Sequence, residues 1–236
     1  MTQPENPPPE QQNRPSFPVP KPEPASEEDE SALVPALLAV YAAYLLFRGS
    51  HDRVGLGWRQ VVTALRIPEL IGNQLAMVAA RAMTRQRDQA GRAGDELWDY
   101  AADGMAAGVA AGYRSIAEAL LWTDRDADGT PGTKDVGGHV PTAQEPPDIL
   151  ARLVAQAVVN ATMVAVAAAA GWHRKVWHTR RDPRVRDAHR DMEGQVQNMD
   201  DPFIAPGGSK LRFPGDPTAP IDLVINCRCW VTPLRQ

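Results

Sequence analysis

Three side chains in the last quarter of the chain are of the types that metal sites and thiol chemistry use: His189, Cys227 and Cys229. A histidine and two thiols that converge supply three ligands suited to zinc, and Asp191, Glu193 or His178 could add a fourth. The same residue types can act as base and nucleophile. The structural alternative is that the cysteines are small core residues and His189 pins a helix to a strand, because free cysteine is often simply buried. Cys227 and Cys229 are the only cysteines. One residue between them on a strand puts both on the same face, an awkward geometry for a disulfide. No glycine-rich elbow or oxyanion donor accompanies them. The one serine after Ala170, Ser209, lies in a Gly-Gly-Ser turn, so an enzymatic role stays open but has no serine mechanism behind it.

Two further patterns bear on ligands. Asp124, Asp126 and Asp128, followed by Gly129, reproduce the first half of a calcium loop, after a helix expected to end near Trp122. The second half departs: Pro131 replaces an apolar residue, Asp135 replaces the closing Glu, and Gly137-Gly138 stands where an exit helix would begin. The alternative is a solvated acidic loop. The second pattern is a basic run holding Arg174, Lys175, Arg180 and Arg181, continued by Arg184, Arg186 and Arg190 and interleaved with Trp172 and Trp177. It could contact DNA phosphates while a tryptophan stacks on bases. The alternative is a charged face paired with Asp182, Asp187 and Asp191.

The elements that must position these residues follow from composition and period. With 236 residues, 43% of them hydrophobic and 23% charged, the chain has room for one full core or two small ones. A net charge of −4 predicts no general attraction to nucleic acid. No basic stretch leading into an apolar core opens the chain, so a secretory signal is not expected and residence in the cytoplasm is. Residues 1–30 hold nine of the 22 prolines and end in an acidic run, which predicts a disordered arm. The uncharged stretch Ala32–Phe47 is shorter than the ~20 residues of a membrane span and predicts a bundle helix with Pro35 in its first turn.

Residues 55–122 predict three helices, broken at Ile67-Pro68 and at Gly91 and Gly94. Their apolar stripes are Leu75, Val78, Ala79, Ala82 and Met83, then Ala106, Val109, Ala110 and Tyr113. A loop at 123–147 leads to Asp148, expected to cap an Ala- and Val-rich helix that runs to Ala170 before Gly171. Gln156, Asn160 and Thr162 interrupt its apolar run, favouring bundle packing over lipid, so no membrane partner is expected. From Trp172 the helical period gives way to short apolar runs read as strands: Lys175–Trp177, Leu211–Phe213 and Ile221–Val231. Asp182 and Pro183 predict a helix from Pro183 to Met192 that turns Val185, His189 and Met192 to one side, with Arg186 and Glu193 within reach of the imidazole. The class is α+β: an arm at 1–30, a helical region at 31–170 and a small α/β module at 171–236.

One ordered series of residues runs through that module. It comprises Lys175 to Thr179 with Trp177, Asp182, Arg186 leading to His189, Glu193-Gly194, Asp200 to Phe203, Phe213-Pro214-Gly215-Asp216-Pro217, and Asn226-Cys227-Arg228-Cys229. In order and spacing it resembles the signature of the phage Mu F-like minor head proteins over about the last quarter of the chain. Many such proteins carry aspartate where this chain has Glu193. The resemblance implies a minor capsid protein acting in head morphogenesis of a tailed phage during procapsid assembly. It also implies a place in the virion, near the portal and facing the capsid interior, with portal and major capsid proteins as partners. Its Ala-rich helical faces are the expected contact surface. A DNA-binding internal head protein that aids packaging or ejection, and an effector enzyme of the same family type, are the two alternatives. No further domain is expected after Gln236, which counts against a toxin cargo.

Overall fold

The computed structural model describes residues 25–48, 58–90, 92–127 and 146–235. It is α+β. Six helices come first: α1 Glu27–Arg48, α2 Trp58–Ala64, α3 Ile67–Ala90, α4 Arg92–Trp98, α5 Ala101–Ala127 and α6 Pro146–Ala169. A C-terminal unit follows with β1 Arg174–His178, α7 Asp187–Met192, β2 Val196–Asn198, β3 Phe203–Ile204, β4 Lys210–Leu211, α8 Ile221–Val224 and β5 Trp230–Leu234.

The acidic run expected in the disordered arm is instead the first turn of α1. Ser26 and Asp29 cap it reciprocally: Ser26 Oγ accepts from the Asp29 N–H at 3.2 Å, and Asp29 Oδ2 accepts from the Ser26 N–H at 3.1 Å. Arginines of other helices satisfy the remaining charge. Arg85 reaches the fully buried Asp29 at 2.6 Å, Arg81 reaches Glu28 at 3.0 Å, and Arg152 reaches Glu30 at 3.3 Å. Because the cap lies this early, Pro35 falls inside the helix and not in its first turn.

Four helices, not three, occupy the next stretch, since Gly94 lies within the short α4. The α3 stripe is as read: Leu75, Val78, Ala79, Ala82 and Met83 are all buried. The α5 stripe holds only in part: Val109 and Tyr113 pack against the core. Ala106 and Ala110 are exposed, and the buried side carries Gly104, Gly108, Ala111 and Gly112. A Cβ added at Gly104 would lie 3.1 Å from the Thr162 carbonyl oxygen, and one at Gly112 would lie 2.9 Å from Val158 Cγ2. Glycine scores low on any hydropathy scale, yet here its missing side chain lets α5 lie directly on α6. This glycine-bearing face of α5 is buried inside the bundle.

Helix α6 begins at Pro146, so Asp148 sits in its first turn and is not its N-cap. It is long and apolar enough to cross a membrane, but 78% of its apolar window is buried in the protein. It packs on α1, α3, α5 and β5, making one core that runs from Leu33 of α1 through Val158 to Trp177, Phe203 and Cys229. Gly171, at φ +74°, ends it.

In the C-terminal unit β1 is the central strand of an antiparallel sheet ordered β2-β1-β5, with Trp177 opposite Val231 and His178 opposite Trp230. A separate two-stranded ribbon pairs Phe203 with Leu211 and Ile204 with Lys210. Two expectations fail locally. Ile221–Val224 is a single helical turn, and the cysteines lie on an irregular segment that enters β5 after Asn226, whose φ of +53° turns the chain.

Candidate functional site

The site is assembled on α7, the Cys segment and α6. Asp182 does not cap α7. Its side chain accepts from the Arg184 N–H at 2.9 Å and its carbonyl from the Val185 N–H at 3.1 Å, closing a separate turn. Arg186 then adopts an extended conformation with ψ 149°, and the helix starts only at Asp187. This shorter helix still turns His189 and Met192, one turn apart, into the core.

Neither Arg186 nor Glu193 bonds the imidazole. Arg186 donates to the Ile225 carbonyl, fastening the start of α7 to the chain just before the cysteines. Glu193 turns back to the end of β1. Its Oε2 accepts from both the N–H and the hydroxyl of Thr179 at 2.6 Å each, and its Oε1 accepts from Arg181 at 3.0 Å. Burial raises its pKa, but the neighbouring His178 ring and the hydrogen bonds from Thr179 and Arg181 outweigh burial and hold it down to about 2. His178 Nδ1, at 3.7 Å, is beyond hydrogen-bond length and acts only as a polar neighbour.

His189, Cys227 and Cys229 meet in the interior, each 2% exposed. His189 Nδ1 lies 3.4 Å from Cys229 Sγ and 3.8 Å from Cys227 Sγ. Both thiols are free. The edge of the Trp177 ring packs on the imidazole at 5.5 Å between centroids, and Phe203 packs on Trp177 at 5.3 Å. The hydrogen bond from Cys229 holds the Cys227 thiol well below its usual value; burial opposes this and His189 adds to it. Giving that hydrogen bond, with burial and the adjacent charge, pushes Cys229 up. A cleft of about 20 Å³, room for roughly one water molecule, reaches all three residues between Asp182, Arg186 and Arg228.

The Cys segment is held from below by residues to which sequence reasoning gave no role in the site. Arg152, Gln156 and Asn160 stand four residues apart along α6. Arg152 donates to Asn226 Oδ1 at 3.0 Å, and Gln156 Nε2 to the carbonyls of Cys227 and Cys229 at 3.0 and 3.3 Å. Asn160 Oδ1 accepts from the Val231 N–H at 3.0 Å. The readable signal was polar residues at a spacing of four in an otherwise apolar helix, a ladder along one face.

The Phe213–Pro217 turn docks on the same helix. A Cβ on Gly215, at φ +79°, would lie 3.2 Å from the Ala157 nitrogen. Asp216, fully buried, accepts five hydrogen bonds: from the backbone N–H, Nε and guanidinium of Arg212, and from the N–H and hydroxyl of Thr218. Burial raises its pKa, and these bonds bring it below the ordinary carboxylate value.

The remaining sites read from sequence lie partly in the core and partly outside the described residues. Asp191 is exposed, and among the described residues only His189, Cys227 and Cys229 form a cluster of three metal-ligating side chains. Helix α5 continues past Trp122 to Ala127, so Asp124 and Asp126 lie on helical backbone, while Asp128 and the rest of the calcium loop fall outside the described residues. In the basic run, Lys175 is 1% exposed and donates to the carbonyls of Met199 at 2.8 Å and Arg212 at 2.9 Å, so it cannot reach a phosphate. Trp172 and Trp177 are buried as well, and Arg181 pairs with Glu193. Arg174 is left exposed and Arg180 half-buried.

No curated protein and no solved structure matches the chain. The family described as Phage Mu protein F like protein matches residues 138–232. The match begins ahead of α6 and includes the ladder that holds the Cys segment, well before the Lys175 start of the resemblance read from sequence. Over these residues the chain is similar to the phage Mu F-like family, which points to a phage head-morphogenesis or minor capsid protein in general.

Proposed function

We propose that the protein is a minor capsid component that enters the procapsid during assembly, next to the portal and on the capsid interior, and contacts the portal and major capsid proteins there. The family match over residues 138–232 carries this reading. Two features support a structural role. The family residues Trp177, His189, Cys227 and Cys229 sit in the core, and the cleft that reaches the last three is narrow. Outward-facing Trp98 and Tyr100 near the α4–α5 junction, with Met77 on α3 and Leu38 on α1, offer apolar contact points on the helices. The alternative of a DNA-binding internal protein loses Lys175 and its two stacking tryptophans to the core, while Arg174, Arg181, Arg184 and Arg190 stay exposed.

The test is co-expression of the phage's major capsid, portal and scaffolding genes with and without this chain. Particles are separated on gradients and their composition read by mass spectrometry. The chain should sediment with procapsids, at far fewer copies than the major capsid protein, and leave the particle fraction when the portal gene is removed. Recovery only from the soluble fraction would overturn the proposal, and retention without the portal would overturn the portal-proximal part.

A further inference from the structure

The geometry points to a metal site: His189, Cys227 and Cys229 bind one soft divalent ion of the zinc class, whose fourth coordination position opens into the arginine-lined cleft. This does not depend on the role in head assembly.

The ligand atoms lie within 4.8 Å of one another and are buried. For a tetrahedral ion with metal–sulfur bonds of about 2.3 Å and a metal–nitrogen bond of about 2.05 Å, each nitrogen–sulfur edge is about 3.6 Å. The two observed edges, 3.4 and 3.8 Å, bracket that value, so an ion needs only small side-chain shifts. Two thiolates and one imidazole select zinc-like ions over calcium or magnesium.

Neighbouring side chains hold the ligand-bearing segments in place. Gln156 fixes the cysteine carbonyls, and Arg186 ties α7 to Ile225. Within the described residues His189 Nε2 is buried with no hydrogen-bonding partner, which leaves Nδ1, the atom facing both sulfurs, as the ring's polar attachment. Negative charge on sulfur is costly in a dry interior unless a cation is close. A divalent ion seated between the two sulfurs and His189 Nδ1 supplies that charge.

No fourth His, Cys, Asp or Glu among the described residues completes the set. The cleft supplies volume for one water-sized ligand, and Arg180, Arg184, Arg186 and Arg228 line it. The occupant of the fourth position is therefore water or a small anion, which the guanidinium groups favour.

The full chain is purified under reducing conditions without chelator or nickel resin, and its metal content is read by mass spectrometry. About one equivalent of zinc is expected, released when a mercurial modifies the two thiols. Cobalt exchange should give a thiolate-to-cobalt charge-transfer band in the near ultraviolet and intense visible bands of tetrahedral type. Thiocyanate should then shift the visible bands. Cys227→Ser, Cys229→Ser and His189→Ala should each lose the band, whereas Asp191→Asn should keep it. Because these core substitutions also threaten folding, wild-type protein decides: less than a tenth of an equivalent of any transition metal, with no cobalt band after reconstitution, overturns the site. A cobalt spectrum unmoved by saturating thiocyanate overturns the open fourth position.

Discussion

Replacing Glu193 with glutamine preserves the shape of the side chain and removes its charge. In the wild-type protein one carboxylate oxygen accepts twice from Thr179 at 2.6 Å, the other accepts from Arg181 at 3.0 Å, and the group's pKa falls from 4.5 to about 2. At about 1.36 kcal/mol per unit, that shift corresponds to roughly 3 kcal/mol of preference for the charged form. The side chain is 23% exposed, so solvent screening reduces the expected loss to about 1–2 kcal/mol. For a chain of this size such a loss lowers Tm by about 2–8 °C. The sign with pH is set by the depressed folded-state pKa. The carboxylate's contribution is complete above the unfolded value of 4.5 and disappears as pH falls towards 2. Thermal unfolding of wild-type protein and Glu193→Gln, followed by circular dichroism at pH 7, 4 and 3, should show a gap that is full at pH 7 and narrows steadily on acidification. A gap below 1 °C at pH 7, or one that stays constant down to pH 3, would refute this account of how α7 is tied back to β1.

Asp216→Asn breaks a network of five bonds around a fully buried carboxylate and should cost about 2–3 kcal/mol in urea unfolding at neutral pH. Gly215→Ala should cost about 1–3 kcal/mol, because alanine is strained at φ +79° and its Cβ presses on the α6 backbone; an unchanged urea midpoint would show that the turn does not dock there. Gly108→Ala puts a methyl group against Thr162 and 2.9 Å from the Val158 carbonyl, so about 2–4 kcal/mol should be lost by calorimetry as α5 moves off α6. Lys175 has its pKa lowered from 10.5 to about 8, chiefly by burial. Between pH 8 and 10 the unfolded chain binds more protons at this residue than the folded one. Wild-type stability should therefore rise with pH across that window relative to Lys175→Met, and parallel profiles for the two proteins would contradict the buried placement.

Long apolar periods were legible without a structure. The α3 stripe and the end of α6 at Gly171 follow from side chains that repeat every three to four residues, a property of neighbouring positions in the chain. Half of the α5 face was misread because close packing there depends on glycine, whose contribution is the absence of atoms and is visible only once α6 lies against it. The acidic run at Glu27 looked like a solvated tail because its partners, Arg81, Arg85 and Arg152, are remote in sequence. Asp182-Pro183 carries the residues of a helix start, yet its own carboxylate and carbonyl close a turn first, a choice between two local hydrogen-bond patterns that residue type alone does not settle.

The types and order of the C-terminal residues, from Trp177 to Cys229, pointed to the family resemblance and to which side chains could form a site. That information lies in identity and spacing. The tertiary structure decided that His189 Nδ1 faces both sulfurs, that Lys175 is a core residue, and that Gln156 and Asn160 of α6 hold the Cys segment in place. Each of these requires groups dozens of residues apart to meet. Only the packing of α6 between the helical bundle and the sheet brings them within hydrogen-bonding distance.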